Sequence, residues 1–243
     1  MVATKSRTGS AFRHPPRPFS GHKRQITGLG TLIAPTIFKR EAALEDESPL
    51  GEVRVIRLAS APGARESWDR PRVVIYLWAV CELLFVASAW QISSRLRIAV
   101  LRAFGADIEK GVVMRPRIRV RFPWKLHIGA DSWIGEGVWF HNQDHIYVGK
   151  DVVISQETML TTGSHAYRTD MALITRPIAV EAGAWITSRC MILGGARIGQ
   201  SALIETMSLV TNVTIPPGEV WGGRPARCTS PSRFQRGPIE AND

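Results

Sequence analysis

Val180-Glu181-Ala182-Gly183-Ala184-Trp185-Ile186-Thr187-Ser188-Arg189-Cys190-Met191-Ile192-Leu193-Gly194-Gly195-Ala196-Arg197-Ile198-Gly199-Gln200-Ser201-Ala202-Leu203-Ile204 carries a branched aliphatic residue at every sixth position. The beat runs Val180, Ile186, Ile192, Ile198, Ile204, Val210. Four residues after each stand Ala184, Cys190, Ala196, Ala202, Ser208 and Thr214, all small or β-branched. A random register matches all of these positions with a probability on the order of 10⁻⁷. A period of six suits neither a 3.6-residue helix nor a strand in a meander. It suits a triangular coil in which each unit makes one short strand and one corner. Three units complete a turn, and successive turns stack as parallel sheets. The aliphatic position then points into the prism, and the small residue packs near the next corner. Gly129, Gly135, Gly149 and Gly199, each directly after an aliphatic position, relieve the tight corner backbone.

The same beat runs upstream through Ile128, Ile134 and Phe140, then slips by two residues to Val148, Ile154 and Leu160. A weaker start is visible at Ile108 and Met114. Between Leu160 and Val180 the beat is interrupted, leaving residues 166–179 as an excursion loop. Residues 108–215 predict about five coils with strands about 4.8 Å apart. Aliphatic ladders fill the interior, so chemistry belongs on the outer faces or in the loop.

Ahead of the repeat the texture differs. Val73 to Trp90 is apolar all round except for Glu82 and Ser88, and is flanked by Arg70, Arg72, Arg95 and Arg97. As a helix these 18 positions would span roughly 27 Å, just short of a bilayer core. Glu82 at mid-segment would cost on the order of 3 kcal/mol there. The segment therefore reads as a helix buried between subunits or half-sunk on a membrane surface. A second short helix is expected from Ser94 to Phe104, stopping at Gly105. Residues 1–70, punctuated by His14-Pro15-Pro16-Arg17-Pro18 and Ala61-Pro62-Gly63-Ala64, are expected to form a disordered basic extension. The expected organisation is thus an extension over 1–70, a helical segment over 71–105, a repeat domain over 106–227 and a tail over 228–243.

Composition narrows the classes. The chain of 243 residues has a formal charge of +10, from 31 Lys and Arg against 21 Asp and Glu. The excess is even: 12 basic and 7 acidic side chains lie in residues 1–70, and 19 and 14 in the rest. No basic run of five or more and no nucleic-acid motif occurs, which argues against a nucleic-acid partner. Cys81, Cys190 and Cys228, an odd and widely spaced set, make no disulfide framework and no zinc clip. That pattern, with no signal peptide near Met1, points to a cytoplasmic chain, peripheral at the inner face of a membrane if residues 73–104 dock there.

Several stretches resemble one family. They are the Ile128-Gly129 and Ile134-Gly135 repeats, Val138-Trp139-Phe140-His141-Asn142, Thr162-Gly163-Ser164-His165, Ile174-Thr175-Arg176-Pro177-Ile178 and Gly183-Ala184-Trp185-Ile186. Together they resemble the hexapeptide-repeat acyltransferases, and within them the colanic-acid-biosynthesis-type acetyltransferases, over residues 73–227. The resemblance implies a mainly β fold, a left-handed parallel β-helix, despite the usual right-handed crossover rule. It further implies a homotrimer with active sites between subunits, acetyl-CoA as donor, no metal, and a saccharide or lipid-linked saccharide hydroxyl as acceptor. His165, where the repeat yields to the loop, becomes the candidate catalytic base, because an alcohol needs its proton removed during attack on a thioester. Many relatives carry Asp directly after this His, and here Ala166 stands there; Asp170 is the nearest substitute. Asn142 matches the position that holds the acceptor, since an amide both donates and accepts. Trp139, Tyr167 and Arg168 are candidate walls of that site. The donor positions fall on Ser188, Thr206, Thr211 and Arg227. Where relatives have Lys after the Thr this chain has Asn212, with Arg224 placed to compensate.

Two rival readings come from other classes. A carbonic-anhydrase-like hydratase would hold zinc with three histidines across a subunit interface, His141, His145 and His165 supplying the candidates. A catalytically inactive scaffold would keep the β-helix and the membrane segment alone.

Overall fold

The computed structural model describes residues 55–62 and 67–234. The expected disorder of residues 1–70 falls mostly on positions outside the described residues, as does the tail beyond Phe234.

Residues 107–223 wind into a three-faced parallel solenoid. One face stacks Asp107–Ile108, Leu126–Ile128, Ile146–Val148, Ile178–Val180, Arg197–Ile198 and Thr214–Ile215. The second stacks Val113–Met114, Trp133–Ile134, Val153–Ile154, Trp185–Ile186, Leu203–Ile204 and Val220–Gly223. The third stacks Arg119–Val120, Trp139–His141, Met159–Thr161, Met191–Leu193 and Leu209–Val210. The solenoid therefore has about six turns, one more than the repeat count predicts. The weak start at Ile108 and Met114 is a full coil in register with Ile128 and Ile134.

The predicted aliphatic positions are the interior. Val180, Ile186, Ile192, Ile198, Ile204 and Val210 are all buried, in line with Ile128, Ile134, Phe140, Val148, Ile154 and Leu160 from the upstream coils. Burial of each such side chain contributes roughly 1.5–3 kcal/mol. The small positions Ala184, Cys190, Ala196, Ala202 and Ser208 are also buried. Thr214 is exposed instead. The last coil is one residue short, Ile215 aligning with Ile198 and Trp221 with Ile204, so Val213 takes the small position and its carbonyl meets Arg197 N.

Two of the three corners repeat one backbone device. Between the first and second faces Gly111, Asp131, Asp151, Gly183, Ser201 and Gly218 all have positive φ. Between the second and third faces Arg117, Gly137, Glu157, Arg189 and Met207 do the same. The left-handed region turns the chain within two residues and keeps each corner above the last. Gly129 serves a different need: its φ is ordinary, but a Cβ there would sit 2.5 Å from Lys150 N and 2.6 Å from Gly149 C in the next coil.

The third corner departs from this pattern. There the chain leaves the stack after Met159–Thr161 and makes an antiparallel hairpin, Gly163–His165 against Leu173–Thr175. It rejoins the first face at Ile178, so the excursion is ordered strand at both ends and residues 178 and 179 belong to the prism.

Helix α1 (Arg72–Cys81), continued by a wider turn over Glu82–Val86, and helix α2 (Ser94–Ala103) close the first coil. Trp78, Val86, Ile98 and Leu101 join the coil core, which blocks strand addition at that end. Trp78 Nε1 donates to Val120 O (2.9 Å). The buried Arg97 guanidinium donates to the carbonyls of Met114 (2.8 Å), Gln91 (2.5 Å) and Val86 (3.3 Å). The Ser93 side chain caps α2 at Leu96 N, and Gly105 ends it at a φ of 93°. At the other end Ala226–Ser230 folds back antiparallel on Val220–Gly223.

Candidate active site

The hairpin at the irregular corner hangs His165 and Tyr167 over the third face. With Thr162, Gly163, Ile174, Arg176, Leu193, Gly194, Thr211 and Asn212 they line an open cleft of about 370 Å³. Residues 162, 193 and 211 lie on three successive coils, and the hairpin brings residues 165, 167 and 174 against them.

His165 is exposed and its Nδ1 lies 2.9 Å from Met171 O. A carbonyl oxygen only accepts, so Nδ1 carries a proton, and in the neutral imidazole Nε2 keeps a lone pair. This is the orientation a general base needs. Asp170, the expected substitute for the acid absent at Ala166, does not meet His165: its Oδ1 accepts from Ala172 N (3.0 Å) and Thr169 Oγ1 (3.2 Å), bracing the hairpin turn. Met171 has a φ of 59°, a conformation that costs an ordinary side chain about 1–2 kcal/mol.

The structure places Asn142 apart from the His165 cleft. It is fully buried, and both halves of its amide are committed to one residue: Phe122 N donates to Oδ1 (3.1 Å) and Nδ2 donates to Phe122 O (2.6 Å). The clasp uses one donor and one lone pair of the amide, and burial keeps the remaining pair from solvent and from the cleft. Trp139 lies half-buried on the outer third face under the Arg119 guanidinium, 3.8 Å from its ring centroid, and edge-on to His141 (5.4 Å). It is therefore outside the His165 cleft. Tyr167 lies inside it, with the Arg168 guanidinium 5.4 Å from its ring.

The donor candidates divide between two corners. Ser188, half-buried, and Thr206, exposed, lie on the corner between the second and third faces, where Ser188 Oγ donates to Gln156 Oε1 (3.1 Å). Arg224 continues that corner, its Nε donating to Met207 O (2.7 Å), and Arg227 is exposed just beyond. Thr211 lies across the third face from them, in the His165 cleft. Hydroxyls along a corner, ending at two arginines, fit a long polar arm with phosphates at its end. Arg176 is the cleft residue that sequence reasoning quoted without giving it a role. With its amide turned to suit its neighbours, Asn212 accepts from Arg176 Nη1 (2.8 Å) and donates to Gly195 O (3.1 Å).

The three candidate histidines of the zinc reading do not meet within one chain. His141 Nδ1 pairs with Thr161 Oγ1 (3.0 Å), His145 Nδ1 with His127 Nε2 (3.0 Å), and His165 with Met171. Among the described residues no group of three His, Cys, Asp or Glu side chains is placed to hold a metal ion. Burial, then the neighbouring Arg121 charge, lowers the His141 pKa; burial, then His127, lowers that of His145. Cys190 is buried in the prism with its thiol pKa raised by desolvation, so it offers no exposed nucleophile.

No family model matches the chain. A protein of Escherichia coli (strain K12) named as a colanic acid biosynthesis acetyltransferase, WcaF, is 32% identical over 155 residues, covering 63% of this chain and 85% of that protein. A galactoside O-acetyltransferase of Lactococcus lactis subsp. lactis (strain IL1403) is 24% identical over 134 residues, 53% of this chain and 64% of its own. Among solved structures, the hexapeptide-repeat acetyltransferase VCA0836 from Vibrio cholerae is 25% identical with a TM-score of 0.59, covering 70% of this chain and 94% of that one. A second structure of that protein, complexed with acetyl coenzyme A, aligns over 65% and 86% at 24% identity and a TM-score of 0.59. The shared solenoid is a left-handed β-helix. Taken with the match across most of the Escherichia coli protein, it places the chain in the hexapeptide-repeat acetyltransferase family, to which it belongs alongside the colanic acid biosynthesis acetyltransferases.

Proposed function

We propose that the chain is an O-acetyltransferase that moves an acetyl group from acetyl-CoA to a saccharide hydroxyl in exopolysaccharide biosynthesis, working as a homotrimer. The observation that carries the reading is the cleft that His165, oriented by Met171 O, shares with Thr211. The Escherichia coli and Lactococcus lactis names support the sugar and the oxygen, and the Vibrio cholerae complex supports the donor. In a trimer the exposed outer faces would meet neighbouring subunits, and the open cleft would gain its remaining wall.

Acetyl-CoA, when bound, supplies an acetyl group activated as a thioester. Ser188, Thr206, Arg224 and Arg227 hold its arm and phosphates, and Thr211 lies near the reacting end. Nε2 of His165 accepts the proton of the acceptor hydroxyl as its oxygen bonds to the acetyl carbon. Charge developing on the carbonyl oxygen is met by a backbone N–H. As the carbon–sulfur bond breaks, the imidazolium returns its proton to the departing sulfur. Tyr167 offers a ring for the sugar face.

The test is thiol release from acetyl-CoA with a panel of saccharide acceptors. Acceptor-dependent release is expected for the wild type, with His165→Ala reducing it about 10²–10⁴-fold while acetyl-CoA still binds. Release that survives His165→Ala overturns the assignment of the base; a chain that does not bind acetyl-CoA overturns the reading.

A further inference from the structure

We infer that the outer face of α1 and the turn after it is a docking surface for an anionic lipid bilayer. This surface is separate from the His165 cleft and does not depend on the chemistry assigned there. Val73, Tyr76, Leu77 and Val80 recur at helical spacing along α1, and Leu83 and Leu84 continue the stripe through the wider turn. All six are exposed, from 55% to 71%. Trp90 and Ile92 follow at 94% and 82%. The opposite side of the same element, Ile75, Trp78 and Val86, is buried against the first coil, so the helix is apolar on both sides and packed on one. A contiguous exposed patch of this kind marks an interaction surface.

Charge identifies the occupant. From Val73 to Ser94 the one charged side chain is Glu82, and it is turned inward, where Val120 N donates to its Oε1 (2.7 Å). The stripe therefore presents no acid. Arg70 and Arg72 stand exposed at its start and Arg95 just past its end. An apolar helix face with arginines at both ends and tryptophan and tyrosine among its exposed side chains matches the boundary between acyl chains and anionic headgroups. No helix among the described residues is long and apolar enough to cross a membrane, so the element lies in the interface. A second copy of the chain would satisfy the apolar stripe but would give the arginine ends no function.

The test is co-sedimentation of the full chain with vesicles of phosphatidylcholine and phosphatidylglycerol, against vesicles of phosphatidylcholine alone, with oligomeric mass followed by light scattering. Binding is expected to the anionic vesicles and to fall with added salt. Leu77→Ser with Leu84→Ser is expected to lower vesicle partitioning about a hundredfold at unchanged mass and melting temperature. Arg72→Glu with Arg95→Glu, which leaves the apolar stripe intact, is expected to abolish the preference for anionic vesicles. A wild-type chain that pellets equally with and without vesicles overturns the inference. So does a leucine variant whose oligomeric mass falls, since that assigns the stripe to a second copy.

Discussion

Replacing Asn142 distinguishes the clasp seen in the structure from the acceptor contact expected of its amide. Its Oδ1 and Nδ2 close a two-bond clasp on the Phe122 backbone at 3.1 and 2.6 Å, at a point with no solvent exposure. Asn142→Ala leaves a buried N–H and a buried C=O without partners. Each unpaired group costs about 1–3 kcal/mol, so the variant is destabilised by roughly 2–5 kcal/mol. For a chain of this size about 2–4 °C is lost per kcal/mol, giving a fall in melting temperature on the order of 10 °C. Phe122 packs with Ile75 and Trp124, stacked on the latter at 5.1 Å, so the loosened clasp also frees the base of α1. Asn142→Asp sharpens the test: its carboxylate still accepts from Phe122 N but opposes Phe122 O. Its deficit should be larger at neutral pH than under acid conditions, where the protonated carboxyl can donate. Thermal unfolding followed by circular dichroism measures both, with KM for the acceptor determined in parallel. An Asn142→Ala protein that melts within about 1 °C of wild type but shows a raised acceptor KM would refute the clasp and return Asn142 to the acceptor site.

Two further outcomes are expected. Gly129→Ala puts a Cβ within 3 Å of three backbone atoms of the next coil, which cannot swing aside, and should cost about 3 kcal/mol or more in urea unfolding. Gly218→Ala has no atom within 4 Å and a φ of 75°, so it should cost about 1 kcal/mol; equal losses for the pair would sink the close-approach argument. His141 and His145 have pKa values lowered in the fold, so the unfolded chain binds more protons once pH drops below the ordinary histidine value of about 6.5. Their contribution is present above that pH and is lost as pH falls through it. The melting temperature should decline over that window, and less steeply in His141→Gln; an unchanged slope counts against the buried-neutral histidine.

The period of six made the prism legible because every interior position repeats a single environment, and aliphatic residues at that spacing line up on no helix face and on no meander strand. The strand count was less legible where the repeat drifts. Ile108 and Met114 belong to a coil of 20 residues, and Ile215 to one of 17, so counting by sixes blurs both ends. The place of His165, at the edge of the excursion, was legible because the beat breaks there. The Asn142 clasp was not legible because the amide that suits a sugar hydroxyl suits a peptide group equally well, and only the coil stacking brings Phe122 against it. The Met171 carbonyl was invisible in principle, since any residue type supplies one and only the hairpin turn aims it. Glu82 looked like a charge stranded in an apolar helix until Val120 N gave it a partner.

The unequal corners set where this molecule can change in length. At two of them every coil turns through a left-handed residue stacked on the one below, so an added amino acid would throw all later coils out of phase. The third lacks that constraint. Val148 pairs with Val180 across an interval that holds a whole hairpin, yet Ile154 and Ile186, then Leu160 and Ile192, fall back into step at once. That corner is a tolerant insertion point, and His165 stands on what is inserted there. Lineages built on this frame can exchange the hairpin, and with it one wall of the cleft, while inheriting the rest of the stack unaltered.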